Sequence, residues 1–422
     1  DIETAVMASA HVTSTDLNDA VRQTKTCDQA LCTITQFNQL LAKLVTDTPL
    51  VQAATVDLSG ASLLQMKTVF QNLHKIENGG LGQVVLTAQE FNSLEQFGPA
   101  FAALTTAQFL ALVSGKASHI TIHAPINTPT TVGSSTTLTA VSADLTITGS
   151  TGDDLLYGGD GADSITGGGG ADTIYGGAGD DVFYFTPQDL SVVALVDGGE
   201  GVDQVALTQA SLDIQDSDFI NLLSIEQLSL TGASAVSIGQ YFRGAGINTI
   251  ILGNDSSSIL ALDSGGLTTQ VNANNLAAGA LLTIAGQNQA LLSPPIAADF
   301  SISNLQGNLA LDRLVGNTTV STSLAANNQI KTSLGSVIVG GLASTVAIDA
   351  TALVLDHLLT LNDASQYSIS NLVADINASN SSGKLSISLA DANDDLITIA
   401  AGTGDIDLTG GADSDVVTIN GL

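Results

Sequence analysis

Aspartate recurs at every ninth position from residue 154 to residue 181, each time after a glycine-rich run and two places before a large apolar residue. Four consecutive nonapeptides read GSTGDDLLY (149–157), GGDGADSIT (158–166), GGGGADTIY (167–175) and GGAGDDVFY (176–184). A fifth, GGEGVDQVA, stands apart at 198–206. All fit G-G-x-G-x-D-x-U-x, with U a large apolar residue, except that Ser150 takes the second glycine's place in the first copy. The carboxylates of Asp154, Asp163, Asp172 and Asp181, with Asp203 in the separated copy, are hard oxygen donors. No His or Cys occurs between 149 and 206, so the donor set selects calcium over transition metals. The glycines of each copy (Gly149 and Gly152, Gly158 and Gly161, Gly167 and Gly170, Gly176 and Gly179) allow positive φ. They let the backbone turn tightly and aim carbonyl oxygens inward as further ligands.

The eighth positions, Leu156, Ile165, Ile174 and Phe183, read as the inward members of very short strands that stack as ladders. A flexible linker has no use for an apolar residue at each ninth position. Together these motifs resemble the RTX (repeats-in-toxin) family of secreted proteins, whose nonapeptides wind a calcium-bound parallel β-roll. The resemblance implies that each repeat supplies half a turn, so that repeats two apart stack. Asp154 and Asp172 would then share one calcium row and Asp163 and Asp181 the opposite one. The run DDVFYF (180–185) is similar to the family's exit from the roll, its aromatic residues covering the last rung. In resembling proteins export uses a type I system with an uncleaved C-terminal signal. Worn copies at 390–398 and 410–418 place Asp395 and Asp415 at the sixth position without the full glycine set, and they suit either ordinary turns or weak calcium sites.

Other chemistry is sparse. H-E-x-x-H and G-x-S-x-G do not occur. His119 and His123 share one face of the strand-like stretch HITIH, where an exposed face or a two-histidine metal site both fit. Cys27 and Cys32 suit a local disulfide or two free thiols. Aspartates for glycoside chemistry are abundant, but 5 Tyr, 11 Phe and no Trp leave few platforms for a sugar. The chain therefore reads as non-enzymatic.

These residues sit in a chain of 422 with 41 acidic and 10 basic side chains, a net charge of -31. That charge excludes a basic-patch nucleic-acid binder and opposes docking on anionic lipid. No apolar run reaches the ~18–20 residues of a membrane span. Twelve of the acidic residues fall between Asp144 and Asp203, and no Lys or Arg occurs between Lys116 and Arg243. Paired side chains cannot neutralise that stretch, whereas calcium can. The chain begins at Asp1, which suits removal of a leader.

Composition divides the chain further. Residues 1–118 carry helical apolar spacing and helix-capping patterns such as Thr87 with Glu90, with β-like stretches at 54–58 and 83–86. They read as a helix-rich domain or an irregular strand–helix repeat. Residues 119–148 read as β linker strands, 149–206 as the calcium β-roll, and 207–422 as a β-solenoid-like region of short alternating strands. The expected fold is multidomain and mainly β. The expected protein is an exported bacterial cell-surface structural subunit of an S-layer, filament or adhesin. It would be a homo-oligomer in an array or filament, with cell-surface polysaccharide as a further partner and calcium as its ion. A secreted hydrolase, or an adhesin tip that binds a receptor or glycan, is the alternative.

Overall fold

The computed structural model describes residues 144–421, apart from 264–266, 287–297, 315, 324–326, 333, 342–344, 354–356, 391–395 and 413. It also describes four strands upstream: Thr55–Asp57, Gln83–Thr87, His119–His123 and Thr131–Val132. The helices expected in 1–118, and Cys27 with Cys32, lie outside the described residues. What is described there is strand, at the two β-like stretches. The chain divides into two compact units, 1–205 with 221–225, and 206–220 with 226–422.

The strand registers described in the first unit are parallel. Thr55–Asp57, Gln83–Thr87, His119–His123 and Asp144–Thr148 pair in succession and lead to Ser164–Thr166 and Val182–Phe185. Thr131–Val132, Leu155–Gly159, Thr173–Ala178, Leu195–Glu200 and Leu222–Leu223 form the second sheet. The strands expected to be a linker at 119–148 are thus rungs in these ladders. A nonapeptide gives one short strand and one turn, so consecutive copies alternate between sheets and copies 18 residues apart stack.

The inward ladders follow from that spacing. Ile147, Ile165 and Phe183 stand in register on one sheet, and Leu156, Ile174, Val196 and Leu222 on the other. None of them is more than 1% exposed. Each contributes roughly 1.5–3 kcal/mol of burial, enough for a core one or two side chains wide. Phe183 and Phe185 are buried in the ladder, so DDVFYF is no exit. The chain instead runs through a short helix, Pro187–Leu190, capped by Thr186, and returns for another rung at Leu195–Glu200.

The second unit repeats the architecture with other turns. One sheet runs from Gln227–Ser229 to Val416–Asn420, and a nine-stranded sheet runs from Ala235–Ile238 to Ile406–Thr409. Leu228, Ile250, Val271, Ile302, Val320, Val339 and Leu361 form one inward ladder, none above 1% exposed. Side chains of this size fill a narrow parallel stack, the arrangement that the paucity of aromatic residues favours. No helix among the described residues is long and apolar enough to cross a membrane.

Candidate metal centre

The turns of the first unit gather the repeat aspartates. Asp154, Asp163, Asp172, Asp181 and Asp203 are each at most 3% exposed. Each of the last four holds a backbone N–H of the neighbouring rung. Leu145 N–H donates to Asp163 Oδ1 (2.6 Å), Asp163 N–H to Asp181 Oδ1 (2.7 Å), and Asp181 N–H to Asp203 Oδ1 (2.8 Å). On the opposite edge Asp154 N–H donates to Asp172 Oδ1 (3.0 Å). The structure therefore brings Asp163, Asp181 and Asp203 into one row and Asp154 and Asp172 into the other. Asp203 reaches its row across 22 residues, against 18 within the array.

These bonds occupy Oδ1. Oδ2 of Asp163 and of Asp181 is buried with no hydrogen-bond partner. Burial pushes the Asp163 carboxyl from 3.8 up to about 8, opposed by the Leu145 N–H and reinforced by Asp181, Asp144 and Asp160. Burial likewise takes Asp181 to about 7 and Asp172 to about 6. Buried carboxylates of like sign with free oxygens are costly unless a cation meets them.

The glycines supply the rest, though not all by positive φ. Left-handed backbone occurs at second positions, such as Gly168 (φ 102°) and Gly177 (φ 122°), and at fourth positions such as Gly170 (φ 110°) and Gly179 (φ 119°). Gly170 and Gly179 also lie too close over Gly152 and Gly161 to admit a side chain. The first-position glycines are needed for room. A methyl group on Gly158 would overlap Asp163 Oδ2 and the Gly176 carbonyl oxygen. One on Gly176 would meet Asp181 Oδ2 and the Gly198 carbonyl oxygen, and one on Gly149 would meet Asp154 Oδ2 and the Gly167 carbonyl oxygen. A carboxylate oxygen and a carbonyl oxygen of the next rung thus converge over each of these glycines. Over Gly167 the nearest atoms all belong to Asp172.

No group of three or more His, Cys, Asp or Glu able to hold a metal occurs among the described residues. An ion at these turns would be met by about one carboxylate per rung and by backbone carbonyls. That hard, mixed oxygen set fits calcium and not zinc.

Two roles were not legible in the repeat pattern. Ser150 is buried, and its Oγ donates to Asp154 Oδ1 (3.0 Å) while accepting from Gly152 N–H (3.0 Å). Asp144, just upstream of the array, and the fifth-position Asp153 and Asp180 tie rungs from outside, accepting the Ala162, Ala171 and Val202 N–H groups respectively (2.8–3.0 Å). Each lies one rung from its donor, a relation visible only once the register is known. In the worn C-terminal copy Gly411 N–H donates to Asp415 Oδ2 (3.2 Å), but nothing approaches a methyl position on Gly410 within 4 Å. Asp395 lies outside the described residues. His119 and His123 belong to a strand paired with Asp144–Thr148, His119 opposite Asp144.

A family model described as the RTX calcium-binding nonapeptide repeat, in four copies, matches residues 146–184. No curated protein and no solved structure matches the chain.

Proposed function

Because the chain carries the RTX calcium-binding nonapeptide repeat, we propose that it is an exported structural subunit of a bacterial cell surface, in an S-layer, filament or adhesin, whose roll folds on calcium. The observation that carries the calcium reading is the convergence of Asp154, Asp163 and Asp181 Oδ2 with next-rung carbonyl oxygens over their first-position glycines. Calcium, when bound, supplies the positive charge that no side chain between Lys116 and Arg243 provides.

The chain's own groups make this a switch. Without a cation the carboxylates of a row repel and Asp163 and Asp181 Oδ2 stay buried and unmet, so the repeats favour an unfolded, export-competent chain. At roughly millimolar calcium, with sites of about 10⁻⁴ M, each site adds about 1.4 kcal/mol of folding free energy by linkage.

Assembly is supported by the outer faces of the second unit. Ser301, Thr319, Ile338 and Thr360 stand in register on the outside of one sheet, a row of mostly short side chains suited to lateral packing. Strand addition at a sheet edge is a further route. Electron microscopy of the full chain with calcium should show arrays or filaments that dissolve on chelation. A folded chain that stays monomeric at every calcium concentration refutes the assembly role.

A second reading, a glycan-binding adhesin, rests on a groove of about 360 Å³ on the outside of the nine-stranded sheet, lined by Gln329, Thr345, Gln366, Ser368, Lys384 and Ser386. Amides, hydroxyls and one cation suit a polyhydroxyl chain. A glycan screen in which Gln366→Ala abolishes a hit would favour it, and a screen without hits would exclude it.

A further inference from the structure

Building on the calcium reading above, we infer that the roll has a further calcium site outside residues 146–184, formed by Asp203 and completed by the backbone carbonyl of Ser224. Gly158, Gly176 and Gly198 occupy equivalent places on successive rungs. Over Gly158 the pair is Asp163 Oδ2 with the Gly176 carbonyl, and over Gly176 it is Asp181 Oδ2 with the Gly198 carbonyl. Over Gly198 a methyl group would overlap Asp203 Oδ2 and the carbonyl oxygen of Ser224. The oxygen pair is therefore reproduced a third time, with a non-repeat residue in the place of the next glycine.

Two features hold Ser224 there. Leu222 and Leu223 pair in register with Val196 and Asp197, so the following residue comes to lie over Gly198. Ser224 itself is left-handed, at φ 52°, a conformation that is strained for a non-glycine residue and persists where surrounding structure imposes it. Asp203 is fully buried, and its Oδ1 receives the Asp181 N–H, as Asp181 Oδ1 receives that of Asp163. The opposite row has no such extension, since only Asp172 atoms stand nearest Gly167.

The test is calorimetric calcium titration of the full chain, read as stoichiometry, with the near-ultraviolet tyrosine circular dichroism of the Tyr157–Tyr175 stack as the folding control. Asp203→Asn should bind one calcium fewer than wild type while keeping the tyrosine signal. Ser224→Gly, which accepts positive φ, should keep the wild-type count. Ser224→Val, which resists it, should lose one ion. A wild-type chain that takes up no calcium overturns the underlying reading. A wild type that binds, with an undiminished count in Asp203→Asn, overturns this inference alone, as does an undiminished count in a folded Ser224→Val. Should Ser224→Val lose the tyrosine signal, Asp203→Asn and Ser224→Gly decide.

Discussion

The Gly/Asp turns of the first unit and the turns of the second serve the same kind of stacked parallel ladder but seat their charges differently. In the first, Asp154, Asp163, Asp172, Asp181 and Asp203 are buried, with no Lys or Arg in the surrounding sequence. In the second, the buried polar residues are mainly neutral, such as Ser257, Thr318, Asn328, Thr332 and Ser365. Its basic residues each have an aspartate at hand. Arg243 pairs with Asp263 (2.5 Å), Arg313 with Asp312 (2.9 Å) and Lys384 with Asp407, while the Asp349 carboxyl, raised by burial but lowered on balance by hydrogen bonds from Thr351 and Asn371, is lowered further by Lys331. A β-ladder needs only its apolar rungs and satisfied turns. A turn closed by neutral groups, or by a carboxylate met by several N–H groups as Asp216 is by Gly239, Tyr241 and Phe242, is complete by itself, whereas Asp163 and Asp181, each with a buried oxygen unmet, wait for an ion.

Chelation should break this comparison most visibly. Hydrogen exchange with EGTA should show amides of 145–205 losing protection to the level of an unfolded chain, while those of the second unit's ladders keep theirs. Equal loss in both units would mean that the turns do not differ as described. Next in size is Ile284→Ala, which removes a fully buried ladder residue. It should destabilise the second unit by ~2–5 kcal/mol, and by the same amount with or without calcium in denaturant titrations.

Asp181→Asn and Gly158→Ala should each weaken calcium binding by about tenfold or more. The first removes a ligand charge, and the second fills the space held by Asp163 Oδ2. Calorimetry that finds wild-type affinity in both would remove the carboxylate–carbonyl pair as the ion's seat.

Acidity sharpens the contrast further. The folded-state carboxyls of Asp163 and Asp181, at about 8 and about 7, lie above their ordinary 3.8. The calcium-free roll therefore holds protons that the unfolded chain has released. The contribution of these two carboxyls to its stability is fully present below the ordinary 3.8 and is lost as pH rises through about 7 and then about 8. Calcium competes with those protons, so its apparent affinity should fall as pH drops from 8 to 6, measured by titration at each pH. Smallest is Gly410→Ala, where a methyl group meets nothing within 4 Å. The melting free energy should change by no more than about 0.5 kcal/mol, unlike the same substitution at Gly158.

Much of the roll was legible because its chemistry is periodic. The ninth-position aspartates and the inward Leu156, Ile165, Ile174 and Phe183 follow from one strand and one turn per repeat, and the stacking of copies two apart was what the family resemblance implied. Ser150 and the fifth-position aspartates were not legible, since their hydrogen bonds depend on turn geometry or on a neighbouring rung. DDVFYF was misleading for a related reason. An aromatic close looks terminal in a linear reading, yet Pro187–Leu190 forms a helix that carries the chain back for another rung.

The sequence by itself determined the type of ligand atom, the ion that suits it and the short apolar rungs of a narrow stack, because composition and spacing act locally. The tertiary structure alone decided that Asp203 joins the row of Asp163 and Asp181, that Ser224 stands over Gly198, and that the two rows are unequal. Those relations depend on how segments of unequal length close into rungs of equal height. Backbone pairing fixes that register, and no repeat period announces it.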